Sequence, residues 1–507
     1  MLLGGCGRSV ESTPPEAVFL IVVETLRPDR LSCYGYQGHS TPNIDQMARF
    51  GTRFTQAQSV ASWTIPSMGS ILTSLYPTQL GLVEQPAPPG KRFEWQERRQ
   101  QLNDMLSLDE RTLAEVFQDA GYRTAGFINQ PGLTANEGFV QGFVDWYYPV
   151  SVDQIVRYEP GSELEHKWWS PFLNKAYEID TALINIFREW LPIHADGKHF
   201  VWIHLLTPHA PYIPPRTMLP PDPSTLSPDD LSRLYDGEVR AIDGLVGEIL
   251  AAIEQHVGFE RSLVVFTSDH GEALGEHDMF EHGHSLHREV IHVPLIVMSP
   301  TVPEGKTVSQ YVRTIDILPT ILDIVQENDS LLAVADGTSL LPLISGDESN
   351  LAVFSEAMLY GGAERSLIAG IHKLMYDEQE DRYALYDVAE DPGETRDLSS
   401  REAHRTEKLK TALEDFYDAL AADRLARMGG TPPPTRGGRT DAKSSPGSRL
   451  CRRLVPSPPI SMRADGTSSQ CINDHNSRCD RLLDLPHVSL GMLEKHFGVV
   501  AQFCILF

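Results

Sequence analysis

At 507 residues, 41% hydrophobic and 22% charged, the chain has the make-up of a water-soluble folded protein with room for a large core. Its formal charge of −26 argues against a nucleic-acid partner: ten Lys/Arg outnumber six Asp/Glu from Gly429 onward, leaving about −30 on residues 1–428 and no basic face. Six cysteines without a CxxC pair, and no apolar run of membrane-spanning length, exclude a disulfide scaffold, a zinc ribbon and a transmembrane helix.

In chain order, Leu3-Gly4-Gly5-Cys6 comes first and resembles a bacterial lipoprotein box. The charged and apolar regions of a signal peptide are missing, so residues 1–15 read as a truncated leader and linker. The expectation is an exported protein of the bacterial cell envelope or periplasm, with possible membrane anchorage through a lipidated Cys6.

Ala17–Glu24 (AVFLIVVE) is a continuous apolar run ending in a carboxylate, the pattern of a strand buried on both faces. A helix is expected near Asn43–Phe50, and Cys33 reads as a core thiol. Residues 62–77, SWTIPSMGSILTSLYP, carry an Ile71, Leu72, Leu75 stripe closed by Pro77, and by itself Thr64 reads as the N-cap of that helix. Further elements are a helix at Leu113–Ala120 and strands at Thr124–Asn129 and Phe200–Leu206. Val239, Ile242, Leu245, Val246, Ile249, Leu250 and Ile253 recur at helical spacing. That helix leads into the strand Leu263–Thr267 and then Ser268-Asp269-His270-Gly271. Val293–Met298 is strand and Asp316–Val325 helix.

Strands alternating with helices predict an α/β fold, a mostly parallel central sheet sandwiched by helices. After Leu351 the pattern turns to short strands (Ser366–Ala369, Lys373–Tyr376, Tyr383–Asp387) and a closing helix, Glu402–Ala422, a small C-terminal α+β subdomain over 346–428. Residues 429–507 lose periodicity and read as disordered or non-homologous.

Ligands of open α/β sheets bind beyond the carboxyl ends of the strands. Glu24 ends the first strand, Asp269 and His270 follow the fifth, and Thr64 opens a helix. Carboxylate and hydroxyl oxygens suit a hard divalent cation, and an imidazole shifts preference toward zinc or manganese. Such a cation lowers the pKa of the Thr64 hydroxyl, and the helix N-terminus favours a tetrahedral anion beside it. Histidines crowd the same region: His204 and His209 in HLLTPHAPY, and His277, His282, His284 and His287 in GEHDMFEHGHSLH. Of these, His209 and His284 are the candidates for oxyanion partner and leaving-group acid. Against this stand plainer roles: Glu24 paired to Arg27, and Asp269-His270 as a turn.

Nine segments in order make the chain resemble the sulfatase family of the alkaline-phosphatase superfamily over residues 16–425. They are FLIVVETLRPDRLSCYGY, STPNIDQMARFGTRFTQAQS, WTIPSMGSILTSLYP, LAEVFQDAGYRTAGF, LLTPHAPY, YDGEVRAIDGLVGEIL, FTSDHGEALGEH, REVIHVPLIV and ALYDVAEDPGETRDL. The resemblance implies a catalytic domain over 16–345. In sulfatases the active-site motif begins with a cysteine or serine oxidised to formylglycine, followed by x-Pro-Ser-Arg; here Thr64 fills that slot and Met68 replaces the arginine. Glu24-Thr25 stand at the paired aspartates and Asp269-His270 at the Asp-Asn pair. Asn129 and His284 fall where the family places lysines.

This set is similar to that of the superfamily's phosphoglycerol and phosphoethanolamine transferases, in which threonine is the nucleophile. The implied site has one divalent ion (Ca, Mn or Zn) on Glu24, Thr64, Asp269 and His270, with Thr25 a weaker ligand. Thr64, His209 and His284 are the expected catalytic residues, and Asn129 and His204 the expected substrate donors. A second ion is not expected, because the Asp-xxx-His of two-metal relatives is absent ahead of Asp269. The implied substrate is a small anionic ester, glycan or lipid headgroup. Phosphoryl transfer is favoured. The alternatives are sulfate-ester hydrolysis without formylglycine and an inactive anion-binding protein. The loops Pro86–Asp104 and Pro149–Pro171, where leaving-group specificity would lie, carry no motif, and oligomeric state is unreadable.

Overall fold

The computed structural model describes residues 13–429, apart from 84–104, 135–136, 152–153, 158–174, 216, 218–227, 357–358 and 360–363. The Cys6 box, the loop Pro86–Asp104 and the tail after Gly429 therefore lie outside the described residues.

The chain runs through β1 (Ala17–Val23), α1 (Pro42–Phe50), β2 (Thr52–Gln58), α2 (Thr64–Thr73), α3 (Leu113–Asp119), β3 (Arg123–Ile128), β4 (Asp145–Ser151) and β5 (Gln154–Arg157). It continues with α4 (Ala176–His194), β6 (His199–Leu205), α5 (Pro228–His256), β7 (Ser262–Thr267), β8 (Ala273–Leu274), β9 (Phe280–Glu281), β10 (His292–Met298), β11 (Lys306–Arg313) and α6 (Ile317–Ile324). The C-terminal part holds β12 (Val353–Ser355), β13 (Glu364–Ala369), β14 (His372–Asp377), β15 (Arg382–Asp387) and α7 (Ala403–Arg427).

Nine strands form the central sheet in the order β11-β2-β10-β7-β1-β6-β3-β4-β5. Its middle, from β7 to β4, is parallel. β10 runs antiparallel to both neighbours, and β5 antiparallel to β4. The sheet is thus mixed, mostly parallel, as expected. The strands β2, β4, β5 and β11 were not legible as runs. The end of β4, from Pro149 on, and β5 lie in the stretch Pro149–Pro171, which had no motif.

β1 is buried along its whole length. Because alternate strand residues face opposite ways, Val18, Leu20 and Val22 join one core, with Met68 and Ile71 of α2, Phe117 of α3 and Ile321 of α6. Ala17, Phe19, Ile21 and Val23 join the other, with Met47 of α1, Phe187 of α4 and Ile242 of α5. A strand with helices on both faces needs apolar residues at every position, which explains the unbroken AVFLIVV.

Register places the site. Val23 pairs with Leu205 and Val22 with Thr267. β1, β6 and β7 therefore end level, and Glu24, Leu206–His209 and Ser268–Gly271 emerge side by side.

The antiparallel sheet β12-β13-β14-β15 packs against α7. Its core of Phe354, Leu367, Leu374, Leu385 and Phe416 also takes in Val60, Tyr76 and Ile315 from the larger layer. The small sheet is therefore packed against the connections that follow β2, α2 and β11.

Candidate active site

Helix α2 has no side-chain cap: Trp63 is the N-cap residue, in extended conformation, and Thr64 is the first helical residue. The Thr64 hydroxyl is thus not turned back on its own backbone. It donates to Glu24 Oε1 at 2.9 Å and lies 3.3 Å from His270 Nε2. Thr64 is 3% exposed, so water does not compete for these contacts.

The turn after β1 is held from two sides. Thr25 adopts the left-handed region, φ 56, which costs a β-branched residue free energy and marks an over-determined position. Its N–H donates to Asp269 Oδ1 at 3.2 Å, and its carbonyl accepts from the Tyr235 hydroxyl at 2.7 Å. Arg27 pairs with Asp29 and Glu276, not with Glu24. The plain role for Glu24 as Arg27's partner therefore fails.

After β7, Ser268 Oγ accepts from Leu26 N and donates to the His270 carbonyl. Ser67 of α2 donates to the Asp269 carbonyl at 2.5 Å. His270 Nδ1–H donates to the Gly271 carbonyl at 2.9 Å, which leaves the Nε2 lone pair facing the pocket, 3.3 Å from Asp269 Oδ2. Gly271 is required here: a Cβ at this position would meet the Glu289 carbonyl oxygen at 2.1 Å.

These residues fit a divalent cation. Candidate donor atoms of Glu24, Asp269 and His270 lie within 4.8 Å of one another. Asp269 Oδ2 and Thr25 Oγ1 are buried without a hydrogen-bond partner among the described residues. Burial pushes the Glu24 carboxyl up to about 7, so two carboxylates here call for positive charge. Among the described residues, no lysine or arginine is hydrogen-bonded or ion-paired to Glu24, Thr64, Asp269 or His270.

His204 Nε2 lies 3.4 Å from Glu24 Oε2 and His209 Nε2 3.8 Å from Glu24 Oε1. His209 Nδ1–H donates to the Ala210 carbonyl, directing Nε2 inward. Burial lowers His204 to about 4, so its imidazole is neutral at pH 7.

Asn129 goes elsewhere. Its amide donates to Asp180 Oδ1 at 2.7 Å and to the Ala176 carbonyl. Asp180 in turn accepts from the N–H groups of Leu206 and Thr207, fixing the chain ahead of His209. The next residue, Gln130, is the one that reaches Thr64 and Glu24, at 3.5 and 3.3 Å. No spacing rule distinguishes two adjacent amides in FINQPG.

Of the loop histidines it is His282 whose ring lies 4.4 Å from that of His270 and 5.0 Å from that of His209, centroid to centroid. Its Nδ1–H donates to Glu272 Oε1 at 2.9 Å, and burial drives both groups toward their neutral forms. His284 lies two residues further on and is half-buried. None of the polar contacts described for Glu24, Thr64, Asp269 or His270 is to His284. Cys33 is half-buried beside the core and remote from this cluster in contact terms.

Residues 16–327 match a family model described as sulfatase, and residues 275–420 one described as N-sulphoglucosamine sulphohydrolase, C-terminal. The uncharacterized sulfatase YidJ of Escherichia coli (strain K12) is 23% identical over 462 residues, covering 79% of this chain and 86% of the relative. The ulvan-active sulfatase of Formosa agariphila is 26% identical over 459 residues, covering 83% and 82%. A solved structure of BT4656 in complex with its substrate D-glucosamine-2-N,6-O-disulfate superposes with a TM-score of 0.64 at 19% identity, over 82% of this chain and 99% of that one. The phosphonate monoester hydrolase of Agrobacterium radiobacter does so at 0.61 and 20%, over 81% and 96%. Both structural likenesses are likenesses of fold.

Proposed function

Since the chain belongs to the sulfatase family and is an ester hydrolase, we propose that it acts on phosphate or sulfate esters with Thr64 as nucleophile, and that phosphoryl transfer is its preferred chemistry. One observation carries this: the Thr64 hydroxyl, at the first turn of α2, is bonded to Glu24 and faces His270 instead of capping its helix. A secondary alcohol oxidises to a ketone and cannot become formylglycine. A sulfated formylglycine hydrate expels sulfate by collapsing to the aldehyde. A threonine sulfate lacks that exit, whereas a threonine phosphate is cleared by attack at phosphorus.

The residues that would hold the ion are Glu24, Asp269 and His270, with Thr64 as the fourth. When bound, a divalent cation lowers the pKa of the Thr64 hydroxyl and offsets the two carboxylates. Thr64 gives its hydroxyl proton to Glu24, its hydrogen-bond acceptor, and Oγ1 bonds to phosphorus as the ester P–O bond breaks, the leaving oxygen taking a proton from His209 or His284. Water or an acceptor alcohol then attacks phosphorus, giving its proton to the same histidine, and the P–Oγ1 bond breaks as Thr64 takes its proton back from Glu24. Neutral His204 orients Glu24. The α2 N-terminus favours the anion at this place.

The substrate proposed is a small anionic glycan ester, a lipid headgroup being the alternative. Support comes from BT4656, whose substrate is a disulfated glucosamine. The same likeness favours a second reading, sulfate-ester hydrolysis without formylglycine.

The test uses the full chain with Mn²⁺, Zn²⁺ or Ca²⁺ on aryl phosphodiester, phosphonate monoester and sulfate-ester probes. Turnover of phosphorus esters above sulfate esters, lost in Thr64→Ala, is expected. A Thr64→Ala variant as active as the parent would refute the nucleophile. Location in the cell envelope through a lipidated Cys6 is also proposed. Membrane association of the full chain in a bacterial host that survives Cys6→Ser would sink it.

A further inference from the structure

Gln130 is buried, and its side-chain amide has only one orientation that satisfies its neighbours. Gln130 Oε1 accepts from Gly132 N at 2.6 Å and from Leu133 N at 3.1 Å. Both partners are donors, so the oxygen must lie on that side and the NH₂ on the other. The NH₂ then points at the pocket, 3.3 Å from Glu24 Oε1 and 3.5 Å from Thr64 Oγ1. A group serving only as a turn cap would need the acceptor and nothing else.

We propose that Gln130 is a catalytic residue: its NH₂ holds the Thr64 oxygen before attack and donates to a non-bridging oxygen of the group being transferred. The inference rests on the reading of Thr64 as nucleophile. The donor is aimed before the substrate arrives, so no reorganisation is needed when charge develops on that oxygen. It is also a neutral donor, so its bond to Glu24 leaves the charge of that carboxylate for the cation to offset. In a site where no lysine or arginine among the described residues bonds to Glu24 or Thr64, the amide is a donor that adds no charge beside the carboxylates. One hydrogen of the NH₂ meets Glu24, and the second, now at Thr64 Oγ1, can pass to a non-bridging oxygen on the phosphorus that Thr64 attacks.

Two variants separate this role from a cap. Gln130→Glu keeps an acceptor for Gly132 and Leu133 and removes the NH₂. Gln130→Met keeps the length and removes both. With the Mn²⁺-loaded full chain and an aryl phosphodiester, both are expected to lower kcat about 10²-fold, the usual cost of one lost oxyanion donor, with KM little changed. Calorimetry should find Mn²⁺ still bound by both variants, and orthovanadate, a mimic of the transferring group, bound about tenfold more weakly than by the parent. Parental kcat and parental vanadate affinity in Gln130→Glu would overturn the proposal and leave Gln130 as a cap. Thr64→Ala is run beside them: if it retains turnover, the nucleophile reading falls. If it is dead while Gln130→Glu is parental, only the role of Gln130 falls.

Discussion

Lys373 Nζ lies 2.8 Å from Glu394 Oε1, and neither group reaches water. Lys373 also donates to the Leu286 carbonyl, and Glu394 Oε2 accepts from His287 Nδ1 and Arg288 N. This pair ties the small sheet to the base of the histidine loop. Removing one partner of a buried pair strands the other, so Lys373→Met is expected to cost about 3–5 kcal/mol. The double variant Lys373→Met/Glu394→Met should recover part of the loss. Urea unfolding of the three variants checks both statements.

The same carboxylate predicts acid sensitivity. Burial would raise Glu394, but Lys373 and His287 hold it at about 2, below its ordinary 4.5. A group depressed in the folded state stabilises it above its unfolded pKa. Its contribution, on the order of 3 kcal/mol, should fade as pH drops from about 4.5 toward 2. The parent should therefore lose urea stability more steeply below pH 4.5 than Glu394→Gln. Equal slopes would show that the carboxylate is not held this way.

Ion binding is expected to appear as stability. Mn²⁺ at a hundredfold excess over its Kd should raise the unfolding free energy by about 2.7 kcal/mol. Asp269→Asn, which replaces the unpartnered Oδ2 or its neighbour with an amide, should abolish the increment while the chain still folds. A thermal scan with and without Mn²⁺ settles it: an unchanged increment would remove Asp269 from the ligands.

Gly271 offers a route to the ion that touches no ligand. Adding a methyl collides with backbone, the Glu289 carbonyl, which has no rotamer to move. The Gly271 carbonyl must shift, and with it the bond that fixes the His270 tautomer. Gly271→Ala should weaken Mn²⁺ binding about 10- to 100-fold by calorimetry, in the range of other lost supporting bonds.

The gathering of Glu24, Asp269 and His270 was legible because a strand end is a fixed address. β1, β6 and β7 are apolar runs, and the residues after them had to gather at one edge. The place of Thr64 beside Glu24 and His270 was legible only through the resemblance, since its own neighbourhood argued for an N-cap. Gln130, and the approach of His282 to His270, were hidden for another reason. Both depend on which way a chain turns after a strand or within a loop, and that is decided by distant partners: Asp180 for Asn129, Glu272 for His282. β2 and β11 were missed because TRFTQAQ and KTVSQYVR are half polar, as strands near a sheet edge usually are. The antiparallel β10 reads like any other apolar run, since direction leaves no mark on composition.

All ten residues of α2 are out of water. A helix without a wet side has no slack: it cannot roll or slide without opening the core that Met68 and Ile71 help to fill. Thr64 is therefore held in one place, and on the proposed mechanism the ester must be delivered to it. An arginine at position 68 would drive a guanidinium into closed apolar packing, so that replacement cannot be made without remaking the interior around it.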